Sequence, residues 1–314
     1  YQRPRHVLNE GNELMRNILG EVIDKSRIEE NVSMAEKTTF RTGGKADIFV
    51  TPSNAEELKN VIKCLYENGC PYYVLGNGSN ILVSDRGLRR QVIHIGKTAS
   101  EIGIFEDCIR VSAGATLSSA ARAAMQNSLA GMEFASGIPG TVGGALIMNA
   151  GAYGGEMKQI TEAVSYIDPS GEEHIASNDE MEFSYRRSAL SDTGCIITGA
   201  VLKLRRGEQA EINEKMQELA RLRREKQPLE FPSAGSTFKR PEGYFAGTLI
   251  EQTGLKGYSI GGAQVSKKHA GFIINRGGAT TEDILALINY VRCAVLEKHG
   301  VELEPEVKYW SDDE

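Results

Sequence analysis

Apolar residues recur at helical spacing at Leu14, Ile18, Leu19, Val22 and Ile23, which predicts an amphipathic helix over Leu14 to Ile23. A second helical face, Leu58, Val61, Ile62 and Leu65, follows Ser53-x-x-Glu56, a capping-box spacing, and Gly69 stops it. The period then shortens. Apolar runs at Tyr72 to Leu75, Ile81 to Val83, Val92 to Ile95 and Ile109 to Ala113 read as strands, and Thr116 to Asn127 returns to helix. Ala163–Ile167 and Glu173–Ile175 flank Asp168-Pro169-Ser170-Gly171, whose residue types favour a tight turn, so a hairpin is expected. Ser177-x-x-Glu180 predicts a short capped helix, and Cys195 to Leu204 is apolar enough for a central strand.

Composition changes after Arg205-Arg206-Gly207. Glu208 to Lys226 is a charged helix with Ile212, Met216, Leu219 and Leu222 on one face, ended by Pro228. Beyond it come a strand carrying Ser236, a short helix around Gly247–Gln252, a loop at Gly261–Gln264 and a strand at Gly271–Asn275. A helix over Glu282–His299 has Gly300 at its C′ position, and a last strand carries Glu306. Strands alternating with helices argue α/β or α+β, with antiparallel pieces.

One stretch fits neither period. Ser136 to Gly155 holds seven glycines in twenty residues, yet Val142, Leu146, Ile147 and Met148 in its middle are apolar enough to be buried. Glycine loses the most backbone freedom on ordering, so a buried run this rich in it calls for a close approach of backbone. Tight helix packing with turns explains any one pair; the whole run favours a cofactor cradle of backbone N–H groups. Gly76-Asn77-Gly78-Ser79-Asn80, set between two strands, is a second candidate nest for an anion. It is not the dinucleotide G-x-G-x-x-G, because Ile81 replaces the third glycine and a strand follows where a helix should.

At 314 residues the chain can form two or three domains with proper cores. A net charge of −6, with no basic run interleaved with aromatics, argues against general nucleic-acid affinity. A phosphorylated ligand must then be met by locally placed cations. Five scattered cysteines without C-x-x-C, and histidines without ligand spacing, argue against disulfides and a metal site. No apolar run approaches the ~20 residues of a membrane span, and Tyr1 to Glu13 is charged without a signal-type apolar core. A cytoplasmic globular protein is expected.

Thr39-Phe40-Arg41-Thr42-Gly43-Gly44, the Gly76–Asn80 turn and the Ser136–Gly155 run together resemble the FAD-binding unit of the vanillyl-alcohol-oxidase-like flavoproteins. Phe183-Ser184-Tyr185-Arg186-Arg187-Ser188, Ala234-Gly235-Ser236-Thr237-Phe238-Lys239 and Leu303-Glu304-Pro305-Glu306-Val307 narrow this to the UDP-N-acetylenolpyruvoylglucosamine reductase family. The resemblance runs from about Thr38 to Tyr309. It implies an α+β (mixed α/β) fold, with a two-part FAD-binding unit and a C-terminal α+β substrate domain. The segments expected are an N-terminal helical extension (1–33), two FAD-binding subdomains (34–97 and 98–207) and a substrate-binding domain (208–314).

Noncovalent FAD and NADPH are the implied cofactors. The reaction is reduction of the enolpyruvyl ether of UDP-N-acetylglucosamine-enolpyruvate to UDP-N-acetylmuramate, in peptidoglycan precursor synthesis. Hydride comes from FAD N5 and a proton from Ser236; Arg186 spreads the developing charge on the carboxylate, and Glu306, kept protonated, donates a hydrogen bond to it. The FAD positions carried over are Arg41, Thr42 and Gly43; Gly76, Asn77, Gly78, Ser79 and Asn80; Ser136, Gly137, Ile138, Pro139 and Gly140; and Gly143, Gly144 and Asn149. Those carried over for substrate are Tyr153, Tyr185, Arg223, Lys226, Lys239 and Gln264. The interval from Arg186 to Ser236 is short, like that of the family's shorter, type II subclass, so the tyrosine-bearing insertion of the longer subclass is not carried over.

Read alone, these residues leave other readings open. Arg186 and Arg187 can be a surface pair, Ser236 a turn serine, Glu306 a solvated acid, and the cations of Arg221 to Lys226 macrodipole compensation. A noncovalent FAD-dependent oxidase on the same scaffold is the rival activity, and a non-catalytic nucleotide-binding module a further one. UDP-N-acetylglucosamine-enolpyruvate and NADPH are the expected partners, with no nucleic acid, no membrane, and a monomer favoured.

Overall fold

The computed structural model describes residues 5–96 and 99–312, with side chains from residue 11 onward. The expected boundary at residues 97 and 98 lies outside the described residues. In chain order the elements begin with α1 (Arg5–Leu19), β1 (Ile28–Ser33), β2 (Lys45–Val50), α2 (Ala55–Glu67), β3 (Tyr72–Leu75), β4 (Ile81–Val83) and β5 (Gln91–His94). Next come β6 (Ile102–Phe105), β7 (Cys108–Ser112), α3 (Leu117–Gln126), β8 (Leu129–Ala130), α4 (Val142–Ile147), β9 (Gly151–Ala152) and β10 (Gly155–Glu156). They continue with β11 (Thr161–Ile167), β12 (Glu173–Ser177), β13 (Ile196–Lys203), β14 (Arg205–Arg206), α5 (Gln209–Lys226) and α6 (Ala246–Gln252). The last are β15 (Ser259–Ile260), β16 (Ala263–Val265), β17 (Ile273–Asn275), α7 (Thr281–His299) and β18 (Lys308–Trp310).

The chain divides into two compact units. The first comprises Tyr1–Asn31, Asp47–Asn77 and Arg90–Ala220; the second, Val32–Ala46, Gly78–Arg89 and Arg221–Glu314. The first unit contains a sheet of order β1-β2-β5-β3, in which β2, β5 and β3 run parallel. β2 is buried at five successive positions, as strands covered on both faces are. A second sheet, β12-β11-β13-β7-β6, is antiparallel, with β13 in the middle as its apolar run predicts.

Three local expectations shift in this unit. α1 ends at Leu19, where Gly20 begins a turn, and Ile23 is buried beyond the helix. The cap of α2 is Asn54, which accepts from Glu57 N at 2.9 Å, while Glu57 accepts from Ser53 N at 2.7 Å; the capping pair sits one residue later than Ser53/Glu56. Ser177 and Glu180 bond as a capping pair does, at 2.7 Å, but the chain turns at Asn178 to Glu182 and no helix follows.

In the second unit β15, β16 and β17 form an antiparallel sheet, and β18 pairs in parallel with β4, Lys308 opposite Ile81. α7 starts at a capping box of Thr280 and Asp283 and ends at Gly300 with φ 68°. Phe40, Leu82, Phe238, Ile250, Val265, Ile288 and Val291 lie in one apolar core. Neither Ser236 nor Glu306 is in a strand: one isolated bridge, Phe238 to Pro305, replaces the two strands expected there. Gln264 lies within β16, not in a loop. Among the described residues no helix is long and apolar enough to cross a membrane.

Candidate active site

Gly76 and Asn77, the start of the shorter glycine-rich turn, meet the Ser136–Gly155 run within the first unit. Asn77 Nδ2 donates to Pro139 O at 2.7 Å, and a Cβ placed on Gly76 would stand 2.4 Å from Thr141 Oγ1. Only glycine fits at 76 without a shift of Thr141. The Thr141 hydroxyl is occupied because it caps α4, accepting from Gly144 N at 3.4 Å. α4 is fastened by Val142 N to Ala115 O (2.8 Å) and Gly143 N to Ala113 O (2.9 Å). A Cβ on Gly143 would meet Ala113 Cβ at 2.9 Å, so this glycine serves helix packing, while Gly144 is exposed. Ser136 is half-buried and spends its hydroxyl on Glu133 O; Gly137 and Pro139 are exposed, Ile138 and Gly140 half-buried.

Asn149, Tyr153 and Arg186 all carry left-handed backbone, with φ of 42°, 52° and 58°. Such conformations cost about 1–3 kcal/mol in a non-glycine residue and concentrate at functional sites. Asn149 is buried and its amide is fully engaged: Oδ1 accepts from Lys158 N at 2.9 Å and Nδ2 donates to Ser184 O at 3.1 Å. It thereby ties the 184–187 turn to the glycine-rich run. Ser188 and Ser191 add to this by both donating to Ile147 O, at 2.8 and 2.9 Å. Arg187 is exposed, whereas Arg186 is half-buried, with Nη2 3.5 Å from Gly151 O and its guanidinium over the Tyr185 ring at 4.9 Å. The structure thus separates the two arginines that sequence alone leaves equivalent. Tyr153 and Tyr185 are 47% and 50% exposed, free of the core packing that is the usual fate of tyrosine.

A second group forms within the second unit. Thr237 N donates to Gly271 O (2.8 Å), and Ile273 N donates to the Thr237 hydroxyl (3.0 Å). Glu306 N donates to Thr237 O (2.8 Å), and Asn80 Nδ2 donates to Glu306 O (3.0 Å). Ser236, Glu306 and Asn80, far apart in sequence, therefore occupy one cluster. The Ser236 hydroxyl is half-buried and makes one long donation, 3.3 Å to Phe238 O; Gly235 before it, at φ 76°, sets the turn. Lys239 pairs with Glu304 across the same turn.

The remaining positions in this unit are varied. Arg41 is exposed with φ 56°, next to buried Thr42, whose hydroxyl accepts from Thr281 Oγ1 at 3.2 Å. Gly43, at φ 111°, passes so close to Val83 that a Cβ would meet its Cβ at 2.8 Å, and a Cβ on Gly78 would meet Lys37 O. Gly78 is buried and Ser79 half-buried. Gln264 is buried and its Nε2 donates to Gly257 O and Ser259 Oγ. At the end of α5, Lys226 is exposed and Arg223 half-buried; Arg221 pairs with Glu225, and Lys268 Nζ donates to Arg224 O. Two residues outside the sequence-derived set emerge here: Thr141, legible as an N-cap before an apolar turn, and His269, which no spacing marks.

A model of the FAD binding domain matches residues 46–177, and one of the UDP-N-acetylenolpyruvoylglucosamine reductase C-terminal domain matches 227–310. The chain is 50% identical over 296 residues to the UDP-N-acetylenolpyruvoylglucosamine reductase of Caldanaerobacter subterraneus, covering 94% of this chain and 98% of that one. It is 49% identical over 292 residues to that of Clostridioides difficile, covering 93% and 96%. Among solved structures, the Thermus caldophilus UDP-N-acetylenolpyruvylglucosamine reductase superposes with a TM-score of 0.79 at 38% identity, over 91% of this chain and 99% of that one. The glucose dehydrogenase Phl p 4.0202 shares the fold alone, at 16% identity and a TM-score of 0.51 over 61% and 44%.

The residues present suit FAD. In the first unit, the backbone N–H groups of Gly76, Asn77, Gly137 and Gly140 find no partner among the described residues. Donors left open in glycine-lined turns are what a pyrophosphate or the polar edge of a flavin requires. Relatives near 50% identity across almost the whole chain, and family models on both of its halves, show that this chain belongs to the UDP-N-acetylenolpyruvoylglucosamine reductase family.

Proposed function

We propose that this protein reduces the enolpyruvyl ether of UDP-N-acetylglucosamine-enolpyruvate to the lactyl ether of UDP-N-acetylmuramate, with NADPH as reductant. FAD, when bound, supplies to the terminal vinyl carbon the hydride that NADPH provides. The adjoining carbon then holds a lone pair conjugated with the substrate carboxylate. Ser236 delivers a proton from its hydroxyl to that carbon, so that one hydride and one proton saturate the double bond. Arg186 holds the carboxylate with two parallel N–H donors, a geometry lysine cannot copy. Glu306, in its protonated form, donates to the same carboxylate as charge builds there; preorganised donors of this kind are worth about 10²–10³ each.

One observation carries the reading: the 2.8 Å bond from Glu306 N to Thr237 O, which sets the acid one residue from the Ser236 hydroxyl. The exposed rings of Tyr153 and Tyr185 and the cations Arg223, Lys226 and Lys239 serve the nucleotide sugar, and Asn149 positions Arg186 through Ser184. Segments 34–97 and 98–207 hold FAD, 208–314 the substrate, and 1–33 is an extension. All five cysteines are free thiols, which suits the cytoplasm.

Turnover in heavy water tests the proposal. The product should carry one solvent-derived deuterium on the carbon bearing the carboxylate, with no oxygen consumed. Oxygen uptake matching NADPH loss, without the saturated product, would favour the oxidase reading, and a saturated product lacking that deuterium would contradict protonation by the Ser236 hydroxyl.

A further inference from the structure

His269 sits behind the Ser236 turn, and the reaction as described gives it no task. Its Nδ1 accepts the Gly271 N–H at 3.1 Å, so the ring is neutral at that nitrogen and carries its proton on Nε2. Gly271 in turn accepts Thr237 N at 2.8 Å, and Thr237 accepts Glu306 N at 2.8 Å. Through Gly271 and Thr237, the imidazole is therefore linked by three hydrogen bonds and the backbone between them to the Glu306 N–H, and Ser236 is the residue before Thr237.

The ring cannot easily turn away. The His269 backbone N–H is held by Ser266 Oγ at 3.2 Å, and the Phe272 ring stands edge-on to the imidazole at 4.9 Å between centroids. Gly271 is buried, and a Cβ there would lie 3.0 Å from His269 Cε1 and 3.6 Å from Ser236 Oγ, so imidazole and hydroxyl press on one point.

Resting on the reductase reading, we propose that His269 is a positioning residue for proton delivery: its unprotonated Nδ1 holds the Gly271 N–H, and Gly271, through its carbonyl, holds Thr237 and with it the adjoining Ser236 and the bonded Glu306. Protonated on both nitrogens, the ring would present N–H to the Gly271 N–H, and the turn would have to open. The charged groups bearing on the ring are Lys256, which opposes the imidazolium, and Glu251 of α6, which favours it. On its own segment Lys268 is drawn off to Arg224 O and Glu230, and Lys267 lies against Gly257. Burial pushes the His269 pKa below the usual histidine range. The holding form therefore prevails at neutral pH and is lost as pH falls through that lowered value.

The test compares His269→Asn, whose Oδ1 can accept in place of Nδ1, with His269→Phe, which keeps a ring and has no acceptor. Flavin-loaded protein is reduced by NADPH without oxygen, then mixed with the enolpyruvyl substrate. His269→Phe should bleach at the wild-type rate and regain colour on the order of 10²-fold more slowly, as a small misplacement of a reacting group does. His269→Asn should stay within a few-fold of wild type and lose the acid limb of the wild-type profile. Independently of turnover, the Gly271 amide NMR signal should shift with the same midpoint as the His269 ring. Wild-type recovery in His269→Phe, equal loss in both half-reactions, or an acid limb surviving in His269→Asn would overturn the proposal. So would a Gly271 signal indifferent to the ring's titration. Wild-type protein that NADPH fails to bleach would instead sink the reductase reading and leave the NMR test standing.

Discussion

Ser236→Ala separates catalysis from stability most sharply. The hydroxyl is half-buried, and among the described residues its one intramolecular bond is the 3.3 Å donation to Phe238 O. A bond that long on a partly solvated group is worth at most about 1 kcal/mol, and Tm should fall by no more than a few degrees. The turn itself is held by bonds the substitution leaves alone, Thr237 N to Gly271 O and Glu306 N to Thr237 O. Loss of a positioned proton donor costs on the order of 10²–10⁴ in rate, or about 3–5 kcal/mol of barrier. The barrier loss should thus exceed the stability loss several-fold. Stopped-flow absorbance of the flavin, with oxygen excluded, reads both half-reactions: bleaching by NADPH should proceed at the wild-type rate, and return of colour with the enolpyruvyl substrate should slow by two orders or more. Equal loss in the two half-reactions, or a slow return accompanied by a large fall in Tm, would refute the assignment.

Four other substitutions probe the surroundings. Gly76→Ala sets a Cβ 2.4 Å from the Thr141 hydroxyl that caps α4; displacing the cap costs about 1 kcal/mol, and the flavin-to-protein absorbance ratio of the purified variant should drop, whereas full flavin content would contradict the cradle. Asn149→Ala strands Lys158 N, leaves Ser184 O with only its 3.3 Å bond from Arg187 N, and puts alanine at a left-handed φ. At about 1–3 kcal/mol for one orphaned group, denaturant unfolding should show a loss of about 1–3 kcal/mol; no measurable change would mean the two loops are held some other way. Arg186→Lys should slow the substrate half-reaction on the order of 10²-fold, with Arg187→Lys, at an exposed position, close to wild type; equal effects would remove the distinction between the pair.

Much of the fold is legible in the chain because it rests on local rules. The apolar stripe of α2, the hairpin at Asp168 to Gly171 and the glycine stop of α7 each depend on a few neighbouring residues. Where two capping residues adjoin, as Ser53 and Asn54 do, local rules leave a one-residue ambiguity that the packing of Leu58 and Leu65 resolves. Ser177 and Glu180 make their bonds, yet Ala189 N to Met181 O draws the chain into a loop instead of a helix. β4 follows β3 by a few residues and still pairs with β18, and nothing near Ile81 announces that. The interleaving of 32–46 and 78–89 with the C-terminal segment has the same origin: composition marks a change along the chain, while the units are defined by pairings across it. At the site, the residue types are visible in the motifs. Their support is not: the backbone bonds of Thr237 and Gly271 join residues far apart in sequence, and neither they nor the Gly271 N–H received by the His269 ring carry a sequence signature.

The most direct measurement is an anaerobic titration of the flavin-loaded protein followed by absorbance. NADPH should bleach the flavin stoichiometrically, and UDP-N-acetylglucosamine-enolpyruvate should restore the colour with oxygen excluded. A flavin that NADPH leaves coloured, or one whose colour returns only when air is admitted, would contradict the account.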